Sequence, residues 1–426
     1  MLDIAIIEGV RTPLAKSFGV FSSVPAQQLG LAASRALFQR ADICPEQVDQ
    51  VIFGNAAVPP EAANIARVIA LWAGVPQDRI AHTVHRNCAS GMEAITSAAH
   101  AIQLGEASVV VAGGTESMSQ IPLLFNKEAT ELFLRLGRAR NAWQRLLGLL
   151  RFRPRHFRPV VAIKLGLTDP VSGLMMGETA EVLAEEFGIS RQEQDDFALE
   201  SHRRAVAASK EGRLASEIDP LSVPETGELI RDDVGPRPDL TLQSLAKLKP
   251  YFKKGGTVTI GNSCSITDGA AVVLLMPGEK ARAEGRKPLG YLRAYNSVGC
   301  DPRRMGLGPI FATNKLLERT GLRLSDIELI EMNEAFAAQI IANERAFASP
   351  QFAGKELGRN NPVGELNRDR LNVNGGAIAL GHPIAATGTR LVITLLKEMQ
   401  RRGVHRGLAT LCVGGGQGAA LLLESA

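Results

Sequence analysis

The sequence predicts a layered α/β fold built from two similar halves, on three observations. Short apolar β-type runs alternate with Ala-rich helical stretches at both ends of the chain. The two ends repeat each other in order and content. A length of 426 residues, with 45% apolar and 22% charged residues, fits more than one globular domain with a sizeable core.

Taken in order, AIIEGV, VDQVIFG and SVVVAGG read as strands, and AQQLGLAASRALFQR and EAITSAAHAIQLG as helices. Toward the C-terminus the alternation returns as IELIEMN, ATGTRLVITLLKEMQRRG and HRGLATLCVGGG. Asn55 in the first set corresponds to Asn333 in the second, CASG at Cys88–Gly91 to AATG at Ala385–Gly388, and VVVAGG to TLCVGGG. The offsets are 278, 297 and roughly 301, so one insertion of about 19 residues explains most of the difference between the halves.

Residues from about 122 to 247 break this pattern. Leu132, Leu136, Ala139, Trp143, Leu146, Leu147 and Leu150 share one stripe at helical spacing, with Arg135, Arg138 and Arg145 to one side. Gly137, Gly148 and Pro154 interrupt or end it, which predicts two short helices rather than one. Farther on, Ser190 and Glu193 have capping-box spacing at the head of another helix. The expected division is 1–121 plus 248–283 for an N-terminal half, 122–247 for an inserted loop domain, and 284–426 for a C-terminal half.

Composition excludes several classes of function. No stretch approaches the roughly 18 uninterrupted apolar residues of a membrane span, and the N-terminal run lacks the basic flank of a secretory leader. Cys44, Cys88, Cys264, Cys300 and Cys412 are scattered without a CxxC pair, which argues against a disulfide framework or a cysteine-rich zinc site and for a reducing compartment. Ten Lys or Arg stand against two acidic residues between Lys127 and Lys164, so the net charge of +4 is a local excess on an otherwise slightly acidic chain. That disfavours a chain-wide nucleic-acid role. Walker A, HExxH and EF-hand signatures are missing, and no metal is expected.

Four residues stand out as chemistry-bearing. Cys88 follows a strand and opens a helix, where unpaired backbone N–H groups favour a thiolate; an unperturbed thiol is only about 3% ionised at pH 7. His382 lies in GGAIALGHPIAATG, where glycines and Pro383 fix the backbone just before a helix, and an imidazole there suits a general base. Cys412 ends a strand before Gly414, Gly415 and Gly416, a loop whose N–H groups suit an oxyanion hole. Asn333 ends a strand in the second half, with an amide able to hold a water or to donate to developing charge. Each also has an ordinary reading: a small buried thiol, a core histidine, a glycine turn, an N-cap asparagine.

Together the motifs NCASG, GNSCSITDGA, MNEAFA, GGAIALGHPIAATG and CVGGGQG resemble the thiolase family in order and approximate spacing, across essentially the whole chain. The resemblance implies a duplicated αβαβα fold with an inserted loop domain, and thiolysis of 3-ketoacyl-CoA by CoA through an acyl-cysteine. It assigns Cys88 as nucleophile, His382 as base, Cys412 as the acid that protonates the leaving enolate, and Asn333 as holder of a water. It places one oxyanion hole at the N–H groups of Cys88 and Gly414 and a second at His382 and Asn333. It also points to Met175, Arg237, Ser263, Cys264 and Phe336 as substrate-binding residues, with coenzyme A as cosubstrate and no resident cofactor. Met175, where short-chain enzymes often carry histidine, and VGCDPRRMGLGP favour the degradative, fatty-acid β-oxidation branch.

The chain departs from the family's pattern at Ser263–Cys264–Ser265 in the CoA loop and at Ala385, where glycine is usual. The resemblance further implies a homodimer or larger assembly. It offers residues 123–172 as a contact for a hydratase/dehydrogenase subunit or a membrane surface, in a cytoplasmic and peripherally membrane-associated protein. Alternatives are an acetoacetyl-CoA-forming biosynthetic thiolase, a β-ketoacyl synthase-type enzyme, which generally lacks the second cysteine, and a non-catalytic CoA-ester-binding subunit.

Overall fold

The computed structural model describes residues 3–426; the first two residues, where the N-terminal run was read for a leader, lie outside the described residues. The strands of the first part are β1 (Ile4–Arg11), β2 (Ala15–Lys16), β3 (Gln50–Gly54), β4 (Ile80–Val84) and β5 (Val110–Glu116). Three pairs follow: β6 (Leu123–Leu124) with β7 (Val160–Val161), β8 (Leu221–Ser222) with β9 (Leu229–Ile230), and β10 (Thr267–Pro277) with β11 (Gly290–Gly299) as neighbours of β1. The last are β12 (Leu329–Met332), β13 (Arg406–Val413) and β14 (Gln417–Ser425).

One large sheet runs β12-β13-β14-β11-β1-β10-β5-β3-β4. Its two ends mirror each other about the β1–β11 seam. On one side β3 pairs parallel with β5, and β10 pairs antiparallel with β5 and β1. On the other, β12 pairs parallel with β13, and β14 pairs antiparallel with β13 and β11. The repeat read from the sequence is therefore a repeat of sheet topology.

Strand periodicity separates the layers, because successive side chains point to opposite faces. Ala271, Val273 and Leu275 of β10 join Ala409, Leu411 and Val413 of β13 on the inner face, against α3 (Ser90–Gln103) and the Ile384–Arg402 helix. Ala270, Val272 and Leu274 face outward onto α1 (Ala26–Ala41), beside which α2 (Ile65–Trp72) packs in the same cluster, and Leu408, Ala420 and Leu422 onto the Gly308–Thr320 helix. The result is the duplicated, five-layered α/β arrangement expected.

The two central helices meet at their N-terminal turns through glycine. A Cβ on Gly91 would lie 2.6 Å from Thr389 Oγ1 and 2.7 Å from the Ala385 carbonyl, and one on Gly388 would lie 2.7 Å from the Met92 nitrogen. This is the physical content of the CASG/AATG repeat. Only glycine lets these backbones approach so closely, and the crossing brings the starts of both helices together.

The basic insertion forms two short helices, α4 (Lys127–Gly137) and α5 (Ala142–Leu149), as the glycines predict. Asn126 and Asn141 cap them by accepting from Ala129 N at 2.9 Å and Gln144 N at 2.8 Å. Their apolar stripe is mostly exposed, with Trp143 at 66% and Leu150 at 72%. The Ser190–Glu193 capping box is present on the Arg191–Lys210 helix.

Candidate active site

Cys88 sits on the turn between β4 and α3. Asn87 takes a left-handed backbone at φ 42°, a conformation asparagine tolerates better than most residues. Ser90 fastens the turn, donating to the Asn87 carbonyl at 2.7 Å and accepting from Arg86 N at 2.9 Å. Asn87 Nδ2 also donates to the Gly414 carbonyl at 2.8 Å, so the cysteine turn of one half is tied to the glycine loop of the other. The backbone N–H groups of Gly414 and of Cys88 itself both act on the Cys88 sulfur.

The thiol does not rest as the thiolate that helix position alone suggests. Burial pushes its pKa up, the two N–H groups only partly oppose this, and the nearby Glu116 adds to the rise. Desolvation of the charged form outweighs the helix terminus here. Activation therefore calls for a base.

His382 carries a ring nitrogen able to accept a proton. Gly381 precedes it at φ 102°, where a Cβ would meet Thr267 Oγ1 at 2.2 Å, and His382 N donates to the Ser265 carbonyl and Thr267 Oγ1, each at 3.1 Å. His382 Nδ1 pairs with Thr387 Oγ1 at 2.6 Å, and that hydroxyl donates to the Pro383 carbonyl at 3.1 Å. With the threonine proton so committed, Nδ1–H is the donor and Nε2 keeps its lone pair. Nε2 is buried and has no hydrogen-bond partner among the described residues. Burial, then the charge of Arg390, lowers the imidazole pKa to about 3, so it is neutral at physiological pH.

Cys412 closes β13, and Gly415 and Gly416 turn the chain at φ 87° and 77° into β14. Its pKa is driven well above the usual thiol range by burial, then by Cys88 and Cys264, which act on it electrostatically. Such a thiol keeps its proton. Asn333 follows β12, its N–H donating to the Thr410 carbonyl at 3.0 Å, and its fully buried side-chain Nδ2 and Oδ1 have no partner among the described residues. Leaving polar groups so costs about 1–3 kcal/mol each, which a substrate or water held there offsets.

The segment Ser263–Thr267 links these groups. Cys264 N donates to the Ala335 carbonyl at 3.0 Å, Ser263 bridges Phe336, and Ile266 bridges His382. The strand end at Asn333 and the His382 loop are thus laced to one strip.

The residues expected to contact substrate lie as follows. Ser263 donates its hydroxyl to the Thr259 carbonyl at 2.7 Å, which leaves its oxygen lone pairs as the side chain's capacity toward a ligand. Phe336 is buried in the core edge-on to Phe252. Arg237 is exposed and touches His202 through its backbone. Met175 caps the Met176–Glu186 helix, and the neighbouring Met176 is the one whose sulfur would lie 3.2 Å from a Cβ on Gly414. Cys264 is part-exposed beside Cys88, its pKa pushed up to about 12 by burial and then by Cys88. Sequence reasoning missed Met176, Thr387 and Glu116; the last was legible as a carboxylate ending an otherwise uncharged strand.

Comparison with known proteins bears on the family and the fold. The family model described as "Thiolase, N-terminal domain" matches residues 4–279, and "Thiolase, C-terminal domain" matches residues 286–425. The chain is 42% identical over 423 residues to the 3-ketoacyl-CoA thiolase of Yersinia enterocolitica, covering 99% of this chain and 96% of that protein. The crystal structure of the Bacillus anthracis acetyl-CoA acetyltransferase superposes with a TM-score of 0.88 at 38% identity, covering 100% of this chain and 99% of that one. Human mitochondrial 3-ketoacyl-CoA thiolase in complex with CoA superposes with a TM-score of 0.85 at 35% identity, covering 99% and 98%. Matched family models over both halves, and full-length identity well above 30%, place the chain in the thiolase family.

Proposed function

We propose that the protein cleaves 3-ketoacyl-CoA with CoA, giving acetyl-CoA and an acyl-CoA shortened by two carbons, as in fatty-acid β-oxidation. The observation that carries this reading is a second buried thiol, Cys412, placed near enough to the helix-terminal Cys88 for that sulfur to act on it electrostatically, in surroundings that favour its protonated form. A condensing enzyme without a second thiol has no such acid.

In the first half-reaction His382 Nε2 takes the Cys88 proton, and the sulfur attacks the 3-keto carbon. The Cys88 and Gly414 N–H groups receive the oxyanion. The bond between C2 and C3 then breaks, and its electron pair flows into the thioester as an enolate. His382 Nε2–H, with Asn333 acting through a water, stabilises the enolate oxygen, and Cys412 gives its proton to C2. Acetyl-CoA departs and Cys88 remains acylated. The His382 proton passes to the Cys412 thiolate, which frees Nε2 to take the proton of the incoming CoA thiol. CoA attacks the acyl group, and Cys88 leaves as a thiolate and recovers its proton from His382. Two thiols with opposite tasks thus require two environments.

CoA and its thioesters are the ligands this family handles. The Met176 sulfur beside the glycine loop supplies an apolar wall, which suits acyl chains longer than acetoacetyl; thiolysis across a chain-length series measures the range. Exposed Trp143, Leu146, Leu147 and Leu150 on the basic insertion suit a docking face, and the surrounding arginines favour an anionic lipid surface. Flotation with anionic vesicles at rising salt tests it, and no binding at low salt removes it. Among the described residues no helix is long and apolar enough to cross a membrane.

The central assignment is tested by incubating the protein with acetyl-CoA and weighing it intact. An acetyl adduct is expected on the native chain and not on Cys88→Ser; a native chain that acquires none is a binding protein, and the reading fails.

A further inference from the structure

Glu116 ends β5 with its carboxylate fully buried. Oε1 accepts from Asn55 Nδ2 at 3.0 Å and Ala57 N at 2.9 Å, and Oε2 from Ala56 N and Ala385 N, each at 3.1 Å. Three donors belong to the turn after β3 in the N-terminal half. The fourth, Ala385 N–H, is an otherwise open donor at the start of the Ile384–Arg402 helix, three residues after His382. The backbones are already in contact there: a Cβ on Gly114, two residues before Glu116, would overlap the Ala385 carbonyl at 1.9 Å.

Glu217 and Asp233 are buried carboxylates matched by Arg11, and Glu331 is matched by Arg390, whereas Glu116, like Glu334 and Asp268, is hydrogen-bonded by neutral donors alone. Among the described residues no cationic side chain pairs with Glu116. The titratable groups facing it are Cys88 at the start of α3 and Asp268 on β10, which is itself held by Ser17 and Ser119. The turn after β3 brings only Asn55 and backbone N–H groups, and the Ala385 side brings an N–H next to a neutral imidazole. The duplication sharpens the contrast. Asn55 spends its amide on Glu116, whereas its counterpart Asn333 keeps both amide atoms unpaired.

We propose that Glu116 is a positioning residue that clamps the His382 loop of one half to the Cys88 side of the other and sets a buried negative charge beside the nucleophile. Burial raises its pKa to about 7 against the pull of its N–H donors, so the charge is switched near neutrality. Ionised, it opposes thiolate formation at Cys88; protonated, it does not. The proposal rests on the assignment of Cys88 and His382 above.

The test uses the full chain as wild type, Glu116→Gln and Glu116→Asp. Iodoacetamide labelling of Cys88 is followed by intact and peptide mass from pH 6 to 9, beside steady-state thiolysis of acetoacetyl-CoA. Glu116→Gln removes the charge, so Cys88 is expected to label about three- to tenfold faster at pH 8. Its kcat falls at least about tenfold through the loosened His382 loop, with KM little changed. Glu116→Asp keeps the charge but shortens the clamp, so its labelling profile follows wild type while kcat falls. Labelling and kcat that drop together in Glu116→Gln, or that both match wild type, overturn the proposal. Should Glu116→Gln fail to fold, Glu116→Asp decides: a wild-type kcat overturns the proposal, and a lowered kcat with an unshifted labelling profile supports it. A wild-type chain labelled first at another cysteine overturns the Cys88 assignment instead, which separates the two failures.

Discussion

Replacing Gly388 by alanine separates packing from chemistry. The added methyl would lie 2.7 Å from the Met92 backbone nitrogen and 2.9 Å from its Cγ, and ordinary contact begins at 3.4 Å. The side-chain atom is free to rotate away; the backbone atom is not. The two central helices must therefore part by about 0.7 Å at their N-terminal turns, at a cost of about 1–3 kcal/mol for overpacking. Those turns carry Cys88 and His382, so the displacement falls on the proton-transfer distance. A shift approaching 1 Å costs up to about 10²-fold in rate, which predicts a kcat for thiolysis lowered about 10- to 100-fold. Steady-state kinetics beside urea unfolding checks both figures. Gly137→Ala, where the added methyl meets none of the described residues within 4 Å, is the control: kcat should not change and stability should not fall, since alanine favours a helix over glycine. A Gly388→Ala protein with wild-type kcat refutes the argument that the glycine crossing sets the geometry of the site.

Three further outcomes are expected. Cys412→Ser should lower thiolysis about 10²- to 10⁴-fold while Cys88 still acquires an acetyl group from acetyl-CoA by intact mass; undiminished turnover contradicts the role of Cys412. Asn333→Ala should cost about 10²- to 10³-fold in kcat, yet lower the melting temperature little, because its amide atoms have no partners to lose; a large drop in stability would mark Asn333 as structural. The His382 ring resonance, assigned through His382→Asn, should stay fixed from pH 8 to 5, because burial and Arg390 place its pKa at about 3. The sign follows: between about 3 and 6.5 the folded chain binds fewer protons at this site than the unfolded chain. Its contribution to stability is thus present above that window and lost as pH falls through it, and a titration midpoint near 6.5 contradicts this.

Local pattern carried much of the architecture. The Asn55/Asn333, CASG/AATG and VVVAGG/TLCVGGG correspondences map onto β3 and β12, the two central helices, and β5 and β13. The basic insertion breaks into α4 and α5 after Gly137, while Gly148 lies within the last turn of α5. Cys88, His382, Cys412 and Asn333 were legible because each stands at the junction of a strand or a glycine turn with a helix or loop, where backbone chemistry favours function. The Thr259 partner of Ser263 and the Phe252 contact of Phe336 were not legible, because a hydroxyl or a ring in a motif does not disclose which of the chain's own carbonyls or core residues it meets.

By itself the sequence determined the periodicities, the duplication and the residues able to do chemistry, since these depend on spacing along the chain. Only the tertiary structure decided their protonation and their partners. Burial overrides the helix terminus at Cys88, leaves His382 neutral, holds the proton on Cys412 and raises the pKa of Glu116. The reason is that desolvation and Coulomb terms depend on what surrounds a group in space, and those neighbours come from segments as far apart as Asn87 and Gly414.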